Sequence, residues 1–161
     1  MPQTVQPKSA RKEFRKYIKV PTMTKPYVLG RDNTELSAEL SWDETDELNV
    51  LGEMVSTNKL TAVAITVDPY YVRRDDELGM YLLDLYARRA DLDDVKAIYY
   101  EAMIDEDGET IFANEQSCVI LIQSIGGEST DAVAIPFNLK PTGSPVAVDY
   151  DFDTETFTPK V

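Results

Sequence analysis

The sequence predicts a mainly β domain, a sandwich or barrel, with one flanking α-helix near its middle and two extended appendages. Three observations lead to this prediction. Several short segments alternate apolar and polar residues with period two, which is the spacing of a half-buried strand. One segment, 75–91, repeats its apolar residues with helical spacing instead. The length of 161 residues and the 43% apolar content suit one such domain and argue against global disorder.

The charge is distributed unevenly along the chain, whose formal net charge is −13. Residues 1–26 hold seven Lys or Arg and one Glu, a net charge of +6, and four prolines that favour extended backbone. Residues 27–161 hold nine basic and 28 acidic residues, a net charge of −19. We therefore predict a basic, extended N-terminal arm over 1–26 and a single domain over 27–161. The arm is either a solvated tail or a segment that docks on an acidic surface.

Residues 34–42 form the first clear predicted strand, because apolar and polar residues alternate along it. One face carries Leu36, Ala38, Leu40 and Trp42, and the other carries Glu35, Ser37, Glu39 and Ser41.

Residues 43–59 follow this strand and are long for a connection inside a compact domain. They are acidic at first and then mixed. Their apolar residues argue against simple disorder: Leu48, Val50, Leu51, Met54 and Val55. We interpret the segment as a hairpin arm whose apolar residues need a partner. The alternative is a loop that folds back on its own domain.

Residues 60–67 are rich in β-branched side chains and predict a strand that ends before Pro69. The helix is predicted over 75–91, with an apolar stripe at positions i, i+3, i+4, i+7 and i+8. The stripe consists of Leu78, Tyr81, Leu82, Leu85 and Tyr86. Asp75 or Asp76 is the predicted N-cap, and Arg88 and Arg89 suit the negative C-terminal end. Gly79 lowers helix stability by about 1 kcal/mol relative to Ala.

The remainder of the chain predicts strands over 95–104, 118–125, 131–139 and 146–157, with 109–117 as an extension of the second. A turn centred on Asp107-Gly108 joins the first two of these strands. Pro136 indicates that the strand over 131–139 is an edge strand or carries a bulge.

The composition excludes several kinds of chemistry. The chain has no histidine, which excludes Ser-His-Asp and Cys-His nucleophile pairs. Its single cysteine, Cys118, excludes an intramolecular disulfide and a thiolate zinc site, and it lies in an apolar strand where a core role is expected. Asp149, Asp151, Asp153 and Glu155 alternate along one strand but lack the glycine and the glutamate of an EF-hand loop. We read them as a solvated face, and we predict no catalytic residue, no metal and no cofactor.

No window of the sequence approaches the roughly 18 apolar residues that span a bilayer. The basic N-terminus has no apolar region, so no secretory signal is predicted.

Three stretches together resemble the major tail tube proteins of long-tailed (siphovirus-type) bacteriophages of Gram-positive bacteria. The first is "LGRDNTELSAELSWDETDELNVLGE" (29–53), with its glycine, alternating strand and entry into a long hairpin loop. The second is "VDPYYVRRDDELGMYLLDLYARR" (67–89), a strand end, a link and a helix. The third is "VILIQSIGGESTDAVAIPFNLKPTGSPVAVDYDFDTETFTP" (119–159), with its "GG" turn, isoleucine-proline-phenylalanine step and "TG" turn. Their joint order and spacing carry the resemblance, and residues 1–26 have no counterpart.

The resemblance implies hexameric rings that stack into a hollow tube around a tape-measure protein. Tail terminator and distal tail proteins are the implied neighbours, and phage DNA passes through the tube without specific binding. The implied location is the virion, after assembly in the host cytoplasm. The family has no catalytic residues, and no membrane partner is implied.

The resemblance also implies where subunits meet. The loop over 43–59 and the N-terminal arm would join neighbouring rings. The expected inter-ring contacts are Lys12, Phe14, Arg15, Tyr17, Leu48, Val50, Leu51, Met54 and Val55. The acidic candidates for the channel wall are Glu35, Glu39, Asp149, Asp151 and Asp153.

Two other function classes stay open at this point. One is a carbohydrate- or host-surface-binding β-sandwich, in which Tyr70, Tyr71, Tyr99 and Tyr100 would line a groove. The other is an acidic DNA mimic that inhibits a DNA-binding enzyme, against which the basic arm argues.

Overall fold

The structure is a computed structural model that describes residues 4–129 and 132–161. Residues 1–3 of the expected arm and Asp131 of the expected strand over 131–139 lie outside the described residues. The strands are β1 (Phe14–Lys19), β2 (Tyr27–Val28), β3 (Ala38–Leu48), β4 (Met54–Val67), β5 (Lys96–Ile104), β6 (Thr110–Ile122), β7 (Phe137–Pro141), β8 (Val146–Asp151) and β9 (Thr156–Pro159). The helix is α1 (Glu77–Arg88), and short 3-10 helices cover Arg11–Glu13 and Leu92–Val95. A mainly β fold with one helix is therefore confirmed.

The strands form one antiparallel sheet network in the order β2-β1-β5-β6-β7-β4-β3. The long strand β6 divides its second edge between two partners. Its residues Asn114 and Glu115 pair with β8, whereas Cys118–Ile122 pair with β7. The β8–β9 hairpin thus leaves the main path of the sheet at the middle of β6.

The main core lies between the sheet and α1. Leu78, Leu82 and Leu85 of the helix are buried in it together with apolar residues of β1, β4, β5, β6 and β7. A smaller cluster joins β5 and β6 to the β8–β9 hairpin through Ala102, Ala113 and Val148. β1 contributes to both: Ile18 belongs to the main core, and the Tyr17 ring contacts Phe157 of β9 with centroids 5.2 Å apart.

The helix follows its predicted stripe, but it is shorter than 75–91. Asp76 is the N-cap residue, yet its side chain makes no capping bond. Its carboxylate instead accepts hydrogen bonds from the Tyr70 and Tyr27 hydroxyls. Arg89 ends the helix in a left-handed conformation with φ 52°. Tyr86 of the predicted stripe is 38% exposed. It follows Leu85, the last buried residue of the helix, and lies at the margin of the buried face.

One part of the predicted N-terminal arm, Phe14–Lys19, is a strand of the sheet. β1 pairs with β2 on one side and with β5 on the other, and Lys16, Tyr17, Ile18 and Val20 are buried. Residues 4–10 have no regular secondary structure and are exposed. β1 is part of the sheet because its side chains pack against apolar residues on both faces, Ile18 in the main core and Tyr17 against Phe157. The many Lys and Arg residues of this segment gave no sign of this burial.

Three other strand predictions differ from the structure. β7 lies between β6 and β4 and is not an edge strand, because it begins only after Pro136. The segment 146–157 is two strands, since the Asp151 carboxylate accepts the backbone N–H groups of Asp153 and Thr154 and closes a turn. The four alternating carboxylates therefore do not share one strand face. In the first predicted strand only Leu36 is buried, and Leu40 and Trp42 are exposed.

Candidate functional site

The β3–β4 hairpin projects beyond the rest of the sheet. β4 pairs with β7 only through Ile65–Val67, and in the described chain the remainder of β4 pairs with β3 alone. Residues 39–64, which we call the ribbon, are therefore a two-stranded structure. β3 has 11 residues, so at about 3.3 Å per residue the ribbon is ~35 Å long.

The tip of the ribbon is a defined turn and not a loose loop. The Asn49 side-chain oxygen accepts the N–H groups of Leu51 and Glu53, each at 2.9 Å, and its amide nitrogen donates to Glu53 Oε2 at 3.0 Å. Gly52 lies at φ 75°, which a glycine adopts without strain. The hairpin interpretation of 43–59 is thus the one that matches the structure.

The strand register gives the ribbon two different faces, because directly opposed residues in an antiparallel pair point to the same side. The face that we call the apolar face carries Leu40, Trp42, Glu44, Asp46 and Leu48 of β3, opposite Val63, Leu60, Asn58, Ser56 and Met54 of β4. It is apolar at its root and near the tip and polar between them, where Glu44 and Asp46 lie. The acidic face carries Glu39, Ser41, Asp43, Thr45 and Glu47 of β3, opposite Ala64, Ala62, Lys59, Thr57 and Val55 of β4. A bulge at Thr61 keeps Leu60 and Val63 on the same face of β4 although they are three residues apart. The Thr61 hydroxyl donates a hydrogen bond to the Ser41 carbonyl at 3.0 Å.

The expected contact residues of the hairpin are solvent-exposed. Val50 and Leu51 at the tip are 101% and 78% exposed, and Leu48 and Met54 next to them are 68% and 65% exposed. Val55 is also exposed, but it lies on the acidic face. Contiguous exposed apolar side chains of this kind mark interaction surfaces.

The expected contact residues of the N-terminal segment differ in exposure, because β1 buries some of their side chains and leaves others at the surface. Lys12 is exposed, and Phe14 and Arg15 are half-buried. Tyr17 is fully buried within the single chain. Its hydroxyl lies 2.6 Å from that of Tyr150, and Arg15 next to it pairs with Glu155 at 2.9 Å.

The acidic candidates for a channel wall fall into separate places. Glu39 lies on the acidic face of the ribbon, and Glu35 precedes β3. Asp149, Asp151 and Asp153 are exposed on the β8–β9 hairpin. Sequence reasoning missed Asp43 and Glu47, which share the face of Glu39. The period-two spacing from 39 to 47 is the signal that identifies them.

A groove beside β1 collects positive charge in this acidic chain. Arg11, Lys12, Arg15 and Arg31 line it together with Phe14 and Leu29, and no described Asp or Glu is among its lining residues. We call it the basic groove. Sequence reasoning missed it, because Arg31 is distant in the chain from the other cations.

The floor of the basic groove contains a buried lysine. Lys16 donates to the Tyr99 hydroxyl at 3.0 Å and to Glu101 Oε2 at 3.2 Å, and its ammonium lies 4.1 Å from the Phe14 ring centroid. Burial lowers the pKa of Lys16, and the Glu101 carboxylate opposes that shift. These contacts satisfy the ammonium within the fold, as a buried charge requires.

The described residues contain no group of three or more His, Cys, Asp or Glu side chains arranged to hold a metal ion. Cys118 is buried, and burial raises the pKa of its thiol to about 12. Tyr70, Tyr99 and Tyr100 are buried and Tyr71 is half-buried, so the four rings do not form an exposed platform on which a sugar could stack. Across the part of the chain that is described, no helix is both long and apolar enough to cross a membrane.

No protein-family model and no curated protein matches the sequence. Among solved structures, the chain is similar to one from the cryo-EM structure of the anti-feeding prophage (AFP) baseplate, 6-fold symmetrised. The sequences are 11% identical, the TM-score is 0.48, and the match covers 89% of this chain and 97% of that chain. Likeness at this level transfers no function from that chain to this one.

Proposed function

We propose that this protein is a structural subunit of a phage-type tail tube, in which hexameric rings stack into a hollow tube that conducts DNA. The observation that carries the proposal is the ribbon, a projecting hairpin with one apolar and one acidic face. The resemblance of residues 29–159 to major tail tube proteins supports it. The role is one of assembly, with no catalytic residue.

Unpaired strand edges support self-association. β3 has β4 as its only strand partner within the described residues, and β4 has an unpaired edge along residues 54–64. Free backbone N–H and C=O groups of this kind favour the addition of a strand from another chain. A contact between different surfaces of identical chains closes into a ring or continues as a filament. A two-stranded hairpin is marginally stable by itself, so the ribbon gains most from such a contact.

The acidic face of the ribbon supports a channel role. Glu39, Asp43 and Glu47 repeat along it, and Lys59 is the one basic residue opposite them. A wall of carboxylates repels DNA phosphates, so DNA slides past without binding. In this proposal the tube forms around a tape-measure protein and ends at terminator and distal tail proteins within the virion.

Contacts between rings are assigned to the tip of the ribbon and to the N-terminal segment. The side chains of Val50 and Leu51 at the tip are exposed to solvent in the described structure. Lys12, Phe14 and Arg15 offer charge and partly exposed apolar surface next to the basic groove.

Negative-stain electron microscopy of the purified protein over a range of concentrations tests the proposal. Rings or hollow tubes are the expected result, and their length should fall for the variant Val50→Ser with Leu51→Ser. Ile111→Ser is a matched control, because Ile111 is 57% exposed but lies outside the ribbon. A protein that stays monomeric at the highest concentration contradicts the proposal and favours a binding module.

A further inference from the structure

The ribbon and the basic groove are complementary surfaces at different places on the same chain. We propose that the apolar face of the ribbon of one copy docks in the basic groove of a second copy. The inference rests on the proposed function, for which it names the two surfaces that join subunits. It commits to a second copy of this chain as the occupant of the groove.

Charge complementarity is the first argument. Two of the six carboxylates of the ribbon, Glu44 and Asp46, lie on the apolar face that would enter the groove. Of the cations that line the basic groove, Arg15 pairs with Glu155 and Lys16 pairs with Glu101. Lys12 and Arg31 make no ion pair in the described structure and are available to a partner. Two copies with a net charge of −13 repel each other over most of their surfaces. The groove is therefore where an acidic ribbon meets attraction.

Apolar complementarity is the second argument. On the apolar face the two carboxylates lie between two exposed cross-strand pairs, Trp42 with Leu60 on the root side and Leu48 with Met54 on the tip side. The groove sets Phe14 and Val28, both half-buried, beside its cations. Apolar side chains on both sides of a charged pair exclude water from it, which strengthens the attraction between the opposite charges.

The geometry requires a second copy. Leu36 lines the groove and lies two residues before β3, so the groove is next to the root of the ribbon. The tip is ~35 Å away along paired strands and does not return to its own root. Because the two surfaces differ, the contact is heterologous and propagates from copy to copy.

Charge reversal tests this contact. The ribbon variant carries Glu44→Lys and Asp46→Lys, and the groove variant carries Lys12→Glu and Arg31→Glu. Lys12 and Arg31 make no ion pair in the described structure, and Asp46 loses only an exposed bond from Ser56. Each variant alone opposes like charges. We expect the concentration for half-assembly, measured by sedimentation in about 50 mM salt where screening is weak, to rise about tenfold or more.

Rescue makes the test specific. An equimolar mixture of the two variants pairs every reversed ribbon with a reversed groove, and assembly should return to within about threefold of wild type. Glu39→Lys with Glu47→Lys is the matched control for the ribbon, because it changes the charge equally on the opposite face without opposing Lys59, and it should still assemble. Arg74→Glu with Lys140→Glu is the control for the groove, since both residues are exposed elsewhere. Circular dichroism and urea unfolding establish that each variant is folded.

The outcomes separate this inference from the proposed function. If wild type forms rings or tubes and either variant assembles equally well, or the mixture of folded variants is not rescued, the docking inference is overturned while the tube proposal stands. If wild type never assembles, both are overturned.

Discussion

Trp42 and Leu60 lie directly opposite each other on the apolar face of the ribbon, immediately beyond the bulge at Thr61, and are 56% and 43% exposed. Trp42 is the one tryptophan of the chain. Covering an exposed apolar pair of this size removes apolar surface from water, which is favourable. The pair therefore reports whether a second chain covers this face.

Assembly is expected to shift the fluorescence emission of Trp42 to shorter wavelength, because the indole moves from water to an apolar interface. The measurement is an emission spectrum across the concentration range in which rings or tubes appear by microscopy. Asp149→Lys, which alters a distant strand, serves as a control that assembles normally. An emission maximum that stays constant while tubes form contradicts a covered apolar face.

The sequence predicted the elements whose signal is local. The period of 3.6 placed Leu78, Leu82 and Leu85 on one face of α1, and all three are buried. Alternation likewise placed Leu40 and Trp42 on one face of a strand, but it did not indicate what covers that face. Whether a strand face is buried depends on which distant segments or other chains pack against it. The spacing of neighbouring residues does not show which segments those are.

Long-range partners explain most of what could not be predicted. The segment 12–20 is rich in Lys and Arg, yet Lys16 is buried because Tyr99 and Glu101, more than 80 residues away, accept its hydrogen bonds. Gly79 was predicted only to weaken the helix. In the structure a Cβ at this position would lie 3.3 Å from Val72 Cγ1, which is tighter than an ordinary contact, so the glycine lets α1 pack closely against Val72.

The aromatic cluster beneath β9 should dominate the stability of the β8–β9 hairpin. The Phe157 ring lies 4.5 Å from that of Tyr100 and 4.7 Å from that of Tyr150, measured between centroids. Because the side chain is half-buried, Phe157→Ala is expected to cost about 2–4 kcal/mol of unfolding free energy. Tyr17→Phe, which keeps the ring and removes the hydroxyl contacts to Tyr150 and to Glu155 Oε1, should cost about 1 kcal/mol.

Urea unfolding followed by circular dichroism measures both changes. Ile111→Ala is the reference, since an exposed site outside the cluster should change the unfolding free energy by less than about 0.5 kcal/mol. Equal stabilities of Phe157→Ala and Ile111→Ala would show that the cluster does not hold the hairpin.

Cys118 should be inert towards thiol reagents in the folded protein. Burial keeps reagents away from it and raises the pKa of the thiol to about 12, so the reactive thiolate is scarce at neutral pH. We expect no labelling by a maleimide under native conditions and one label per chain in concentrated urea, as measured by mass spectrometry. Rapid native labelling at the same rate as in urea is the opposing result.

The buried phenols should make the protein less stable at alkaline pH. Burial raises the pKa of Tyr70 above its ordinary value of 10.0, and the Asp76 carboxylate adds to the shift. The folded state therefore keeps the phenol proton above pH 10, whereas the unfolded chain releases it. Below about pH 10 the contribution of Tyr70 is complete, and above it stability is lost by up to about 1.4 kcal/mol per pH unit.

Urea unfolding of wild type and Tyr70→Phe at intervals between about pH 8 and pH 11 isolates this contribution. Tyr70→Phe lowers stability at pH 8, because the Asp76 carboxylate loses a hydrogen bond. Its stability should then fall less steeply than that of wild type above pH 10, so the two curves converge. The lowered pKa of Lys16 acts in the opposite direction, but it is common to both proteins and cancels in their difference. Curves that stay parallel up to pH 11 would mean that the Tyr70 phenol ionises alike in the folded and unfolded chains.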